Sequence, residues 1–134
     1  MENWDLVKMH SRALRSEHYI EAMAVGYQLL ESVFIVLLTK TTVGNQSKPL
    51  GTNKVKKANY LLAKAKLALK YDFIDQNLYD EVVEFNELRR DLIHNIVEKD
   101  MDYNDAKKCA NLVTDLYGKI QSQFLTYTIT EVNR

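Results

Sequence analysis

The chain has 134 residues, 46% of them hydrophobic, and its 18 basic and 18 acidic residues cancel to zero net charge. That composition supports one compact domain, residues 1–134, with a real core, and excludes disordered and fibrous classes. A single cysteine, Cys109, excludes an internal disulfide and, beside only 3 histidines, leaves no Cys/His zinc cluster, so neither a metal nor another cofactor is expected.

One proline and four glycines favour helices over a turn-rich β architecture. No basic leader followed by an apolar run opens the chain, and the apolar part of Val33–Leu38 is too short to span a bilayer. A soluble protein of the reducing cytoplasm, without membrane contact, is the expectation.

Met1 to Glu17 reads as a first helix packing through Trp4, Val7 and Leu14. His10 and His18 are eight residues apart, which suits neither a metal pair nor a catalytic pair, so both belong at the surface or its boundary. Tyr19 to about Lys40 is the most apolar helix, with Ile20, Met23, Tyr27, Leu30 and Phe34 on one stripe and Val25, Leu29, Val33 and Val36 on another. A helix apolar nearly all round is the centre of a bundle or is shared with a partner chain. Gly26 inside it costs up to about 1 kcal/mol against alanine and so points to close approach of another helix. Glu31 lies on the Tyr27–Phe34 stripe and needs a buried partner or a wet cleft.

Residues 41–53 carry Gly, Ser, Thr and Pro and read as a loop, long for a bundle connection. Lys54 to Tyr71 reads as one lysine-rich helix turning Val55, Ala58, Leu62, Ala65 and Leu69 inward. Asp75 is the expected N-cap of the next helix, which runs to about Val97 with Leu78, Val82, Phe85, Leu92 and Ile96 as its stripe. After a connector at 98–101, Asp102 or Asn104 caps a last helix packing through Ala106, Ala110, Val113, Tyr117, Ile120, Phe124 and Tyr127. Cys109 beside that stripe reads as a small core residue. The polar, β-branched tail at 128–134 is expected to fray. The fold class is therefore all-α, a compact bundle of four to five helices.

The zero net charge hides a segregation. Between Ser32 and Tyr71 stand Lys40, Lys48, Lys54, Lys56, Lys57, Lys64, Lys66 and Lys70 and no acid, whereas the acids crowd into Asp72 to Asp105. Such a lysine block either tracks a phosphate backbone or is a solvated face lying beside the acidic helix. Lys54, Lys56 and Lys57 are the candidates for steering a polyanion.

Residues with chemical capability concentrate in Asn86-Glu-Leu-Arg-Arg-Asp-Leu-Ile-His-Asn95. Arg89 falls on the apolar stripe, where a guanidinium must find a carboxylate, a phosphate or water. Glu31 is the obvious carboxylate. His94 lies roughly 140° further round the helix. It is either a helix C-terminal histidine favoured by the dipole or an acid–base group.

The frame ELRRDLIHN resembles the R-x4-6-H signature of the HEPN superfamily, all-α domains many of which are metal-independent ribonucleases of toxin–antitoxin, abortive-infection and CRISPR-linked systems. The preceding Leu67-Ala-Leu-Lys-Tyr-Asp-Phe-Ile-Asp-Gln-Asn-Leu-Tyr79 is similar to the family's turn into the motif helix, and the resemblance spans roughly residues 19–127. Two positions depart from the pattern. Arg90 follows the motif arginine where the family commonly has Asn, Asp or His, and position 96 is Ile where one subgroup carries a modifiable tyrosine.

The resemblance implies a homodimer whose two motifs line one groove that cleaves RNA, with an antitoxin protein as a possible partner. In that chemistry His94 takes the proton of the 2′-hydroxyl and Arg89 offsets charge developing on phosphorus, leaving 2′,3′-cyclic phosphate and 5′-hydroxyl ends. Arg90 would contact phosphate, while Asp91 and Asn95 would orient the pair. A catalytically silent module of the same fold, binding a partner protein or nucleic acid, is the alternative. An unrelated interaction domain, with Arg89 and Glu31 as a buried ion pair, is a third reading.

Overall fold

The structure, a computed structural model, describes residues 3–40, 49–97 and 102–132, with side chains described for 4–40, 49–95 and 102–123. The described residues form six helices: α1 (Asn3–Arg15), α2 (Tyr19–Lys40), α3 (Thr52–Lys56), α4 (Leu61–Lys70), α5 (Gln76–Val97) and α6 (Tyr103–Val132). Among the described residues there is no strand. The all-α bundle is thus as expected, with one short helix beyond the expected count. The connector 98–101 and most of the loop 41–53 lie outside the described residues.

Helix α2 is the axis of the bundle and packs against α1, α3, α4 and α6. Its stripes, apolar nearly all round, find partners within one chain, with Leu29, Leu30, Phe34, Leu37 and Leu38 at 2% exposure or less. At 22 residues α2 is also long and apolar enough to cross a bilayer, so the short run Val33–Leu38 understates it. In this structure it is a core helix. The case for a partner chain that rested on its excess apolar surface shrinks accordingly to Ile20 and Ile35, which remain exposed.

Gly26 explains how α2 and α6 come so close. A Cβ placed there would meet all three branched atoms of Val113, at 2.4, 2.8 and 3.0 Å. Helix α6 buries Ala106, Cys109, Ala110, Val113, Leu116 and Ile120. Leu116 therefore takes the core place expected of Tyr117, which is half-buried. Of the tail 128–134, residues 128–132 are helical in backbone as the end of α6, and 133–134 lie outside the described residues. Each residue added to a formed helix fixes its backbone in return for a new hydrogen bond, and threonine or isoleucine lowers that return by only tenths of a kcal/mol.

Two further expectations fail. On α1 the inward positions are Leu6, His10 and Ala13, whereas Trp4 is largely exposed with Lys8 over its ring at 5.4 Å. His10 is buried because its Nε2–H donates to the carbonyl of Ala110 at 3.1 Å, so an apolar face carries a satisfied imidazole. Burial pushes its pKa below the usual 6.5. On the lysine-rich stretch, the single helix expected over 54–71 is broken between α3 and α4, with Tyr60 extended at φ −121° and ψ 159°. The break rotates the inward face, and Val55, Leu61, Lys64, Ala65 and Ala68 are buried instead of Ala58, Leu62 and Leu69.

Helix α4 ends in a Schellman turn, with Phe73 N–H donating to Ala68 O at 2.8 Å and Asp72 N–H to Leu69 O at 3.2 Å. Asp72 takes the left-handed φ of 63° that such a turn requires, and the turn delivers Phe73 fully buried into the core. Asp75 then caps α5 as expected, its Oδ1 accepting from Leu78 N–H at 2.8 Å. Asp102 does the same for α6, accepting from Asn104 N–H at 2.8 Å.

Candidate functional site

Helix α5 packs on α4 and α6 through Leu78, Val82, Phe85 and Leu92. Arg89 occupies the stripe between Phe85 and Leu92 and is half-buried. Its guanidinium lies against the ring of Tyr27 on α2, with Cζ 3.9 Å from the ring centroid. A desolvated cation–π contact of this kind stabilises by up to about 2 kcal/mol. Tyr27 is itself held, because its hydroxyl accepts from the Leu61 N–H at the start of α4 at 3.2 Å. One tyrosine thus joins α2, α4 and the motif helix.

Arg89 does not pair with Glu31. The Glu31 carboxylate instead receives Lys64 Nζ at 3.0 Å, and the same ammonium donates to Ala58 O at 2.8 Å. This corrects the ion pair expected from the sequence, and the helix break supplies the physical reason. The carbonyl of Ala58 and the N–H of Leu61 are freed where α3 and α4 part, and Lys64 and Tyr27 satisfy them. Lys64 is only 6% exposed and is the buried cation that Glu31 answers. Arg89 is left with a buried Nε that has no hydrogen-bond partner among the described residues. Such an orphan donor in a half-buried guanidinium is unusual, since buried polar atoms are nearly always satisfied.

Cys109 of α6 is buried near the same guanidinium. Burial pushes its thiol up to about 12, outweighing the opposing effect of the Arg89 charge. It stays a neutral thiol at physiological pH and is a packing residue, not a nucleophile.

His94 is exposed, and Arg90 and Asp91 are exposed with it, while Asn95 is half-buried. The motif therefore presents a divided face. Arg89 is turned toward the core against Tyr27, and the imidazole looks outward about 140° round the helix and roughly 7.5 Å further along it. Ile93, at 39% exposure, adds an apolar residue to that outward surface.

The lysine block forms a second feature. Lys54, Lys57, Lys66 and Lys70 rim an open groove of about 600 Å³ between α3 and α4, floored by Leu67 and Leu69 with Ala58 and Ala63. The expected polyanion-steering set is split, since Lys54 and Lys57 line this groove whereas Lys56 is exposed but not on its lining. Lys54 donates to the hydroxyl of Tyr71 and also lies 4.3 Å from its ring centroid, with Lys70 at 5.6 Å. That donated hydrogen bond and the two ammonium charges draw the Tyr71 pKa below its usual value of 10.0. Among the described residues, no ion pair joins an acid of α5 to these lysines. Glu81 pairs with Lys119 at 2.6 Å and Glu84 with Lys108 at 3.8 Å, both on α6.

Sequence reasoning missed Tyr27 as the seat of Arg89, Lys64 as the partner of Glu31, and Lys66 and Lys70 as groove residues. The first two carry no pattern, because they depend on how three helices meet. The third had one, since Ala63, Lys66, Leu67 and Lys70 repeat at the spacing of a single helix face.

Comparison with protein-family models, curated proteins and solved structures gives no match for this chain.

Proposed function

We propose that this chain is a metal-independent endoribonuclease of HEPN type that acts as a homodimer in the cytoplasm, in the manner of a toxin or defence effector. The observation that carries the reading is the state of Arg89. It is a motif arginine without a carboxylate among the described residues, braced by Tyr27 and holding an unsatisfied Nε. A phosphate oxygen is an acceptor suited to the other N–H groups of this guanidinium, the Nε itself being closed to solvent.

In the mechanism His94 accepts the 2′-hydroxyl proton, the 2′-oxygen attacks phosphorus, and the 5′-oxygen leaves and takes up a proton. Arg89 offsets the charge that grows on the phosphoryl oxygens. Because Arg89 faces inward and His94 outward on one helix, a second copy brought against the Ile93–His94 surface supplies the opposite wall of the groove. Arg90 is exposed beside it as a phosphate contact, with Asp91 and Asn95 as orienting groups.

The second reading is a helical binding module of the same fold without catalysis. It is favoured by the depth at which Arg89 sits, in the stripe of Phe85 and Leu92. The test is cleavage of end-labelled RNA in EDTA by the wild type and by His94→Ala, with product ends mapped. Cleavage to cyclic-phosphate ends, falling about 100-fold or more in the variant, is expected for removal of a general base. Folded wild type that leaves several RNAs intact overturns catalysis in favour of the binding module.

A further inference from the structure

The groove between α3 and α4 has a composition of its own. Its rim is four lysines and its floor is leucine and alanine, with no acid among its lining residues. Lys57 and Lys66 have no carboxylate partner among the described residues, and two of the acids of α5, Glu84 and Glu81, are engaged by Lys108 and Lys119 of α6. Uncompensated ammonium groups beside exposed apolar surface call for a ligand that is both anionic and apolar.

A nucleic-acid strand meets only half of that requirement. Single strands bind without sequence preference by stacking bases on open aromatic faces along a basic track. None of the residues lining this groove is aromatic, and the nearby ring of Tyr71 is covered by Lys54 at 4.3 Å and approached by Lys70 at 5.6 Å. What remains open is an aliphatic floor, on which bases have nothing to stack. The face of α4 from Ala63 to Lys70 extends about 10 Å at 1.5 Å per residue, two helical turns.

We infer that the α3–α4 groove is a docking site for an acidic amphipathic helix of a partner protein, its apolar anchors on Leu67 and Leu69 and its carboxylates on Lys57, Lys66 and Lys70. The match is helix-in-groove recognition, with anchors at i, i+3, i+4 and i+7 and charge complementarity along both rims. It does not depend on the ribonuclease reading, since it uses no residue of the α5 motif.

The test uses the full chain and a panel of fluorescein-labelled helical peptides of about four turns, with Leu anchors in different registers and Glu at the flanking positions. Anisotropy is read against the wild type and against Lys66→Glu/Lys70→Glu. Both lysines are exposed, and unchanged circular dichroism and thermal midpoint verify the fold of the variant. Binding by Glu/Leu peptides, lost tenfold or more in the variant and regained there when peptide Glu is exchanged for Lys, is the expected result. Peptides with Leu replaced by Ser must lose binding to the same degree. The inference is overturned if no peptide binds more tightly than about 1 mM. It is equally overturned if a uridine oligonucleotide or anionic phosphatidylserine vesicles bind in a Lys66/Lys70-dependent way while the peptides do not.

Discussion

Replacing Gly26 by alanine tests the packing of the whole bundle, because the same substitution at Gly118 is its internal control. In an exposed helix interior Gly→Ala stabilises by about 1 kcal/mol, as the unfolded chain loses freedom and the helix gains a better former. Gly118 of α6 meets that condition, for a Cβ built there touches nothing within 4 Å. At Gly26 the new Cβ would stand 2.4 Å from Val113 Cγ2, 2.8 Å from Cγ1 and 3.0 Å from Cβ. Ordinary carbon contacts lie near 3.5–4.0 Å, so the helices must part by about 1 Å. Turning Val113 about χ1 gives no escape, since both methyls and the branch carbon crowd the site and valine is stiff in a helix. Overpacking of this kind costs about 1–3 kcal/mol, which cancels or exceeds the propensity gain. We expect Gly26→Ala to be destabilised by about 1 kcal/mol while Gly118→Ala is stabilised by about as much. Urea unfolding followed by circular dichroism gives both values. Adding Val113→Ala to Gly26→Ala should recover the overlap, with a favourable coupling of about 1–3 kcal/mol in the double-mutant cycle. Equal stabilisation by the two alanines would refute the close approach of α2 and α6.

Lys64→Met keeps the aliphatic stem but removes the ammonium that serves Glu31 and Ala58 O. With the Glu31 side chain 25% exposed, the expected loss is about 1–3 kcal/mol, and adding Glu31→Gln should restore part of it. Changes below about 0.5 kcal/mol in denaturant unfolding would remove the pair from the stability argument. His10 contributes a pH dependence whose sign follows from its lowered pKa. The unfolded chain binds the proton first, so stability is full above about pH 6.5 and declines as the pH falls through that value toward the depressed folded pKa. His10→Gln should flatten the fall in urea midpoint between about pH 7.5 and 5.5, and a wild-type curve no steeper than the variant's would contradict burial of the neutral ring. Asp75→Ala should cost about 1 kcal/mol through loss of the α5 cap, with Asn recovering most of it in thermal melts.

The parts of this fold that could be read from sequence are those decided within one helix. The span of α2, the cap at Asp75, the stripe of α5 and the meaning of Gly26 each follow from local spacing or from a single residue's conformational cost. The failures share a different origin. His10 looked like a boundary residue because nothing on α1 reveals a carbonyl of Ala110, one hundred positions away, waiting for a donor. The lysine-rich stretch looked like one helix because its periodicity continues acceptably through Ala58 and Asn59. The competing gain came from two side chains, Tyr27 on α2 and Lys64 within the stretch, that accept or supply the hydrogen bonds a break exposes.

That break also bears on the candidate site. The hydroxyl of Tyr27 is fixed by the first turn of α4, and the face of its ring is thereby presented to Arg89. Were α3 and α4 continuous, Leu61 N–H would be spent inside the helix and Tyr27 would lose its anchor. Lys64 would also point elsewhere, leaving Glu31 to compete for the Arg89 guanidinium. The ion pair expected from sequence is thus the arrangement an unbroken helix would have favoured. The break diverts Glu31 to a lysine and leaves the motif arginine seated on a neutral ring, with its charge uncancelled by any described carboxylate. An arginine neutralised by a buried carboxylate binds phosphate poorly, whereas one held by a π face keeps its full charge for an incoming anion. The availability of Arg89 is therefore set outside the motif helix, by four residues between α3 and α4 that close no helix at all.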